Sequence, residues 1–153
     1  MDNKKIAQKK FKIGISIIFF VLFLGFLFIN KKVEENILKI GNTEIKIEIA
    51  NDDQSRIKGL SGRDSLEEDE GMLFIFDYPD KHSFWMKEMN FPIDIIWLDD
   101  NKKIVFIKKE ARPESYPESF SSPIDSLYVL EVNASFSDKN NLKVGDEASF
   151  LSS

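Results

Sequence analysis

The chain has 153 residues and no cysteine, a length for one small domain with an appendage, which excludes multidomain enzymes and repeat arrays. Its formal net charge of −5 averages two unlike parts: residues 1–32 hold seven of the 21 basic side chains and one acid, Asp2, which leaves 14 bases and 25 acids, a balance of −11, for residues 33–153. Such an acidic remainder has no basic face with which to neutralise phosphates, so nucleic acid is excluded as a partner.

Residues 13–29 read IGISIIFFVLFLGFLFI without a charge, between Lys12 and the pair Lys31–Lys32. As a helix this is about 26 Å long, the short limit for crossing a bilayer, and the flanking lysines can snorkel to make up the difference. A buried globular helix would show a polar stripe, and only Ser16 and two glycines interrupt this one. The residues that follow, Phe28-Ile29-Asn30-Lys31-Lys32, lack the small side chains of a cleavage site, so the segment reads as an uncleaved signal anchor. Five lysines precede it and two follow, with Glu34 and Glu35 close behind, which puts the N-terminus in the cytoplasm. The expected organisation is a cytoplasmic basic segment over 1–12, a transmembrane helix over 13–29, a linker over 30–36 and an extracytoplasmic domain over 37–153, placing the protein in the cell membrane as a single-pass chain.

Within that domain, residues 43–49 (TEIKIEI) alternate strictly, with Ile45, Ile47 and Ile49 on one face and charges on the other, as a half-buried strand does. Gly41-Asn42 makes a hairpin turn pairing it with 37–40. Asn51 or Asp52 caps a short helix to Lys58, ended by Gly59. Further strands are expected over 72–76, 83–86, 93–98, 103–107, 127–132 and 146–150, and the stretch 110–122, broken by Pro113 and Pro117, has no period. About eight short strands with one or two short helices predict a mainly β domain, a small antiparallel barrel or compact sandwich.

Two carboxylates stand on apolar strand faces: Asp94 with Ile96 and Leu98, and Glu131 with Leu127 and Val129. There an ionised carboxylate needs a cation or several donors, or its pKa rises until it is neutral. Arg63 and Lys87 are candidate partners, and Trp85 beside Lys87 can offer a stacking face at a site rim. These five form the candidate polar cluster. His82, the single histidine, reads as a surface residue, and without cysteine the usual zinc ligand set is excluded, so no metal or other cofactor is expected.

The blocks Arg56-x-x-Gly59-Leu60-Ser61-Gly62-Arg63, Leu66, Gly71-Met72-Leu73-Phe74-Ile75-Phe76, Phe84-Trp85-Met86-Lys87, Pro92-Ile93-Asp94-Ile95, Val129-Leu130-Glu131-Val132-Asn133-Ala134 and Gly145-Asp146 occur in order. Together they resemble the prokaryotic family called domain of unknown function 192. The resemblance implies one small, mainly β domain, often exported or membrane-anchored, without an established activity, and adds weight to Arg63, Lys87, Asp94 and Glu131 as the family's charged positions. Two departures stand out: Ser135 where members often carry glycine, and Glu88-Met89 where many read Asn-Thr.

The residues leave three readings open. The first is a binding module for a small polar ligand or an envelope partner through the five-residue cluster. The second is a hydrolase with Asp94 and Glu131 as acid and base, which requires their carboxyls about 5–9.5 Å apart in an open cleft. The third is a purely structural or assembly role. No recognisable nucleophile accompanies the carboxylates, so the sequence leans away from an enzyme.

Overall fold

The computed structural model describes residues 36–151. The basic segment and the anchor lie outside these residues, and so does the linker except for Asn36, which opens the first strand. Among the described residues no helix is long and apolar enough to cross a membrane.

The domain is mainly β, as expected. Its elements are β1 (Asn36–Ile40), β2 (Thr43–Ala50), α1 (Asp53–Lys58), β3 (Glu70–Asp80), β4 (Ser83–Trp85), β5 (Ile93–Leu98), β6 (Ile104–Ala111), a 3-10 turn (Pro113–Ser115), β7 (Ser119–Ser121), β8 (Ser126–Asn133), α2 (Phe136–Lys139) and β9 (Ala148–Leu151). Seven strands form one sheet in the order β6-β5-β8-β3-β2-β1-β9, while β4 and β7 pair by themselves. The large sheet curls until its edges meet along a short seam, where the Ile104 N–H donates to the Asp146 carbonyl at 2.8 Å and the Ala148 N–H to the Lys102 carbonyl at 2.9 Å. Closing the edges in this way removes an unpaired strand border.

The β1–β2 hairpin has the expected turn, with Ile40 opposite Thr43 and Gly41 at φ +56. Asp52 caps α1 through a reciprocal pair with Ser55, and Gly59 ends the helix at φ +48, the left-handed region that glycine enters without strain. The sheet departs from the antiparallel expectation at one place: β2 and β3 run parallel, with Ile47 opposite Gly71. Parallel neighbours need a crossover, and α1 with the turns that follow it provides one.

Each face of the sheet carries its own core. Leu38, Ile45, Leu73, Ile96, Leu130 and Phe136 fill the inside of the curl. Phe74, Ile93, Ile95, Trp97 and Val129 point outward and are covered by Leu60, Leu66, Met86, Met89 and Phe120. Strand β5 is therefore buried along its whole length on both faces. The aperiodic stretch 110–122 finishes β6, turns, and supplies β7, whose Phe120 sits opposite Phe84 in the outer core.

Both departures from the family pattern fall on left-handed backbone, Glu88 at φ +57 and Ser135 at φ +67. An L-residue other than Gly or Asn is strained there. Ser135 has a compensating bond from its hydroxyl to Glu110 Oε1 at 2.6 Å. At Glu88 the turn is held through its carbonyl, which accepts from the Gly62 N–H at 2.8 Å and which any residue supplies. Glu88→Asn is expected to raise stability by about 0.5–1 kcal/mol, read as an upward shift in the denaturation midpoint; an unchanged or lower midpoint counts against strain at this position.

Candidate functional site

The register of β5 against β8 decides which carboxylates can meet. Ile95 lies opposite Glu131 and Asp94 opposite Val132. Directly opposed residues share a face and neighbours along a strand do not, so Asp94 and Glu131 stand on opposite faces of one sheet. The acid–base pair required for a hydrolase is not formed, and the five-residue cluster divides.

Asp94 is fully buried on the inner face and serves as an acceptor hub. Its Oδ1 accepts the N–H of Glu110 at 3.0 Å and of Ser135 at 3.3 Å, and its Oδ2 accepts the N–H of Ser137 at 2.9 Å. It thereby fastens the end of β6 and the first turn of α2 to β5. Of the two ways the sequence leaves open for satisfying it, a cation or several donors, the structure uses three backbone donors, and neither Arg63 nor Lys87 is its partner. Arg63 is committed elsewhere as well: both of its terminal nitrogens bond the Glu48 carboxylate of β2, Nη2 at 2.8 Å. That guanidinium holds Glu48 below its ordinary carboxylate value. Lys87 is exposed and contributes its backbone carbonyl, which accepts the Ser61 hydroxyl at 2.9 Å.

Glu131 and Trp85 do come together. They line one cleft of about 380 Å³ on the outer face, walled by Arg56, Ile57 and Lys58 of α1, by Gly59, Leu60 and Ser61 after it, by Phe74 and Phe76 of β3, and by His82, Phe84, Trp85 and Met89. That size lies within the range of small-ligand sites, roughly 300–1,000 Å³. The walls are held by aromatic contacts. Phe84 meets Phe74 edge to face at 4.8 Å and Trp97 at 6.0 Å, and the His82 ring stacks on Phe76 at 3.5 Å with 9° between planes. His82 is thus a half-buried wall residue rather than the free surface histidine expected. Its carbonyl accepts the Trp97 Nε1–H at 2.9 Å, tying the turn to the outer core. Arg56 lies 5.5 Å from the Phe76 ring centre, donates to the Ile75 carbonyl at 2.8 Å and pairs with Asp53. The Gly59 conformation brings backbone across the cleft floor, where a Cβ would stand 3.3 Å from Phe74 and 3.9 Å from Glu131 Oε2.

Glu131 is 5% exposed, and its Oε2 is buried without a hydrogen-bond partner. Burial pushes its pKa up to about 8, against the opposing pull of the Arg63 charge. At neutral pH the carboxyl is therefore mostly protonated, able to donate one hydrogen bond and to accept others. A second hollow of about 520 Å³ lies between the start of β2 and the segment 133–140, but its acids Glu68 and Asp69 are exposed and face Lys139 and Lys46. Among the described residues no group of three His, Asp or Glu side chains could hold a metal ion.

Of the wall residues, the sequence assigns Phe74, Phe76 and Phe84 to no site and reads His82 as a surface residue. For Phe74 and Phe76 the signal is the odd–even parity that β3 shares with Glu131 across β8, Phe74 facing Val129 and Met72 facing Glu131, and it appears only once the strands are paired.

A solved structure from Sinorhizobium meliloti 1021, described as a putative transcription regulator, is similar at a TM-score of 0.72 and 26% identity, over 78% of this chain and 97% of that one. A protein of unknown function from Novosphingobium aromaticivorans DSM 12444 is similar at a TM-score of 0.70 and 27% identity, over 74% and 83%. No curated protein matches the chain. The family model DUF192, described as an uncharacterized ACR, matches residues 36–150, all but one residue of the described domain. The chain therefore belongs to the DUF192 family.

Proposed function

We propose that the domain is a non-catalytic binding module, held outside the cell membrane by the uncleaved anchor at residues 13–29, and that it takes a small polar ligand in the cleft over Glu131. The observation that carries this reading is the buried, unpartnered Glu131 Oε2 beneath an aromatic-walled cleft. A polar atom left in that state costs stability unless a ligand group completes it, and a strongly shifted carboxyl in a cleft is a mark of a functional site. A binding role is favoured over catalysis because no second carboxylate is poised beside Glu131, Asp94 being on the far face and Asp53 exposed and paired with Arg56, while the His82 ring in the same wall is stacked on Phe76 with its Nε2 3.2 Å from the Tyr78 carbonyl. The acidic balance of −11 beyond residue 32 gives no support to a nucleic-acid role.

The test is a thermal-shift screen of metabolites and glycans on the full chain in lipid nanodiscs, run in parallel on Glu131→Leu. At least one compound is expected to raise the midpoint of the native chain and leave the variant unmoved. Equal shifts in both proteins, or none across the panel, would contradict the reading. Tethering has a separate check in spheroplasts, where added protease is expected to remove the domain from an alkali-resistant membrane fraction.

A further inference from the structure

We infer that the ligand of this cleft is a neutral saccharide, a polyhydroxylated ring whose apolar face packs against Trp85 and whose hydroxyls hydrogen-bond the Glu131 carboxyl. The inference rests on the binding-module reading and adds the chemical class.

Three observations select that class. Trp85 lines the cleft yet is 56% exposed, while Trp97, the other tryptophan, is fully buried. An indole left open at the rim of an aromatic cleft is a flat apolar platform with a polar edge. At the floor, a protonated carboxyl both donates and accepts, which matches a hydroxyl, itself both donor and acceptor. The cleft's own charges argue against a cationic ligand. Arg56 and Lys58 stand in the wall, and the Arg63 charge also acts on Glu131, whereas the acids nearby are already engaged, Asp53 by Arg56 and Glu48 by Arg63. A small cation entering here would find the nearby acids already paired with arginines, Lys58 in the wall and a carboxyl that burial keeps neutral. An anion finds Arg56 already bonded to Asp53 and to the Ile75 carbonyl.

The titratable groups that line the cleft with Glu131 are Asp53, Arg56 and Lys58 of α1 and His82 before β4; the charge that acts on Glu131 is Arg63, which is paired with Glu48 of β2 and also feels Glu70 of β3. Among these Glu131 is the one whose pKa burial has raised to about 8, so binding that uses its proton is expected to weaken as pH rises through that value.

The experiment titrates chitotetraose, cellotetraose, maltotetraose and, as the cationic probe, choline into the full chain in nanodiscs at pH 6 and pH 9, reading the two tryptophan indole N–H signals by NMR. At least one saccharide is expected to move the Trp85 signal saturably and to bind about ten-fold more weakly at pH 9 than at pH 6. Glu131→Gln is expected to lose the pH dependence, its affinities at pH 6 and pH 9 agreeing within about two-fold. Trp85→Ala is expected to bind at least ten-fold more weakly, and His82→Gln to keep the pH dependence. Choline binding at Trp85 that strengthens at pH 9 overturns the saccharide class and leaves the binding-module reading standing. If no probe moves the Trp85 signal, while the screen above finds a Glu131-dependent ligand of another class, only the saccharide inference falls; if that screen is empty too, both fall.

Discussion

Glu131→Gln is expected to leave stability unchanged near pH 4 and to raise it by about 3 kcal/mol at pH 7, since each pH unit between the two pKa values is worth about 1.4 kcal/mol. The sign follows from the direction of the shift. The folded chain holds the Glu131 proton up to about pH 8, whereas the unfolded chain releases it near the ordinary 4.5. Between these values the native state binds more protons, so the stability of the native sequence falls as pH rises and levels off above about 8. Glutamine has nearly the shape of the neutral acid and cannot ionise, so the variant escapes this loss. Denaturation of the full chain from pH 4 to pH 9, followed by the fluorescence of buried Trp97, measures it; parallel curves for the two proteins would contradict a neutral Glu131. A residue that costs this much stability at neutral pH is hard to account for by packing alone, and a role in binding supplies the reason it is there.

Asp94 gives the opposite result. Asp94→Ala is expected to lower stability by about 3–5 kcal/mol, because it strands three backbone N–H groups at once, one of them buried and two part-buried. These belong to Glu110, Ser135 and Ser137, so the barrel end between β5, β6 and α2 loses its common acceptor. Asp94→Asn should cost less, about 1–3 kcal/mol, since one oxygen survives while the amide NH₂ faces donors. A loss under 1 kcal/mol for the alanine variant would show that Asp94 is not the anchor of this corner. Ligand titrations of any Asp94 variant that still folds are expected to match those of the native chain, because the cleft lies on the other face.

Strand-level order was legible where a face alternates. The TEIKIEI run fixed β2, and Gly41-Asn42 fixed its hairpin, because half-burial writes itself into a period of two. The faces of Asp94 and Glu131 along their own strands were also read correctly. What could not be read was the relation between strands. Whether two carboxylates converge depends on the register of β5 on β8, a long-range pairing with no local trace, and it placed them on opposite sides. Strand β7 is three residues between two prolines, and α2 is a single turn held by Asp94, both too short for any period to show. The parallel β2–β3 pairing likewise depends on where the α1 crossover lands. Of the five candidate residues, Glu131 and Trp85 form the cleft, Arg63 supports it through its charge, and Asp94 and Lys87 belong to the scaffold and the surface.

The most direct measurement is the titration of the Glu131 side-chain carboxyl by ¹³C NMR in the full chain, assigned by the signal that Glu131→Gln removes. A midpoint near 8, moving upward when a neutral ligand fills the cleft, is the predicted result; a midpoint at or below 4.5, with or without ligand, would contradict the site described above.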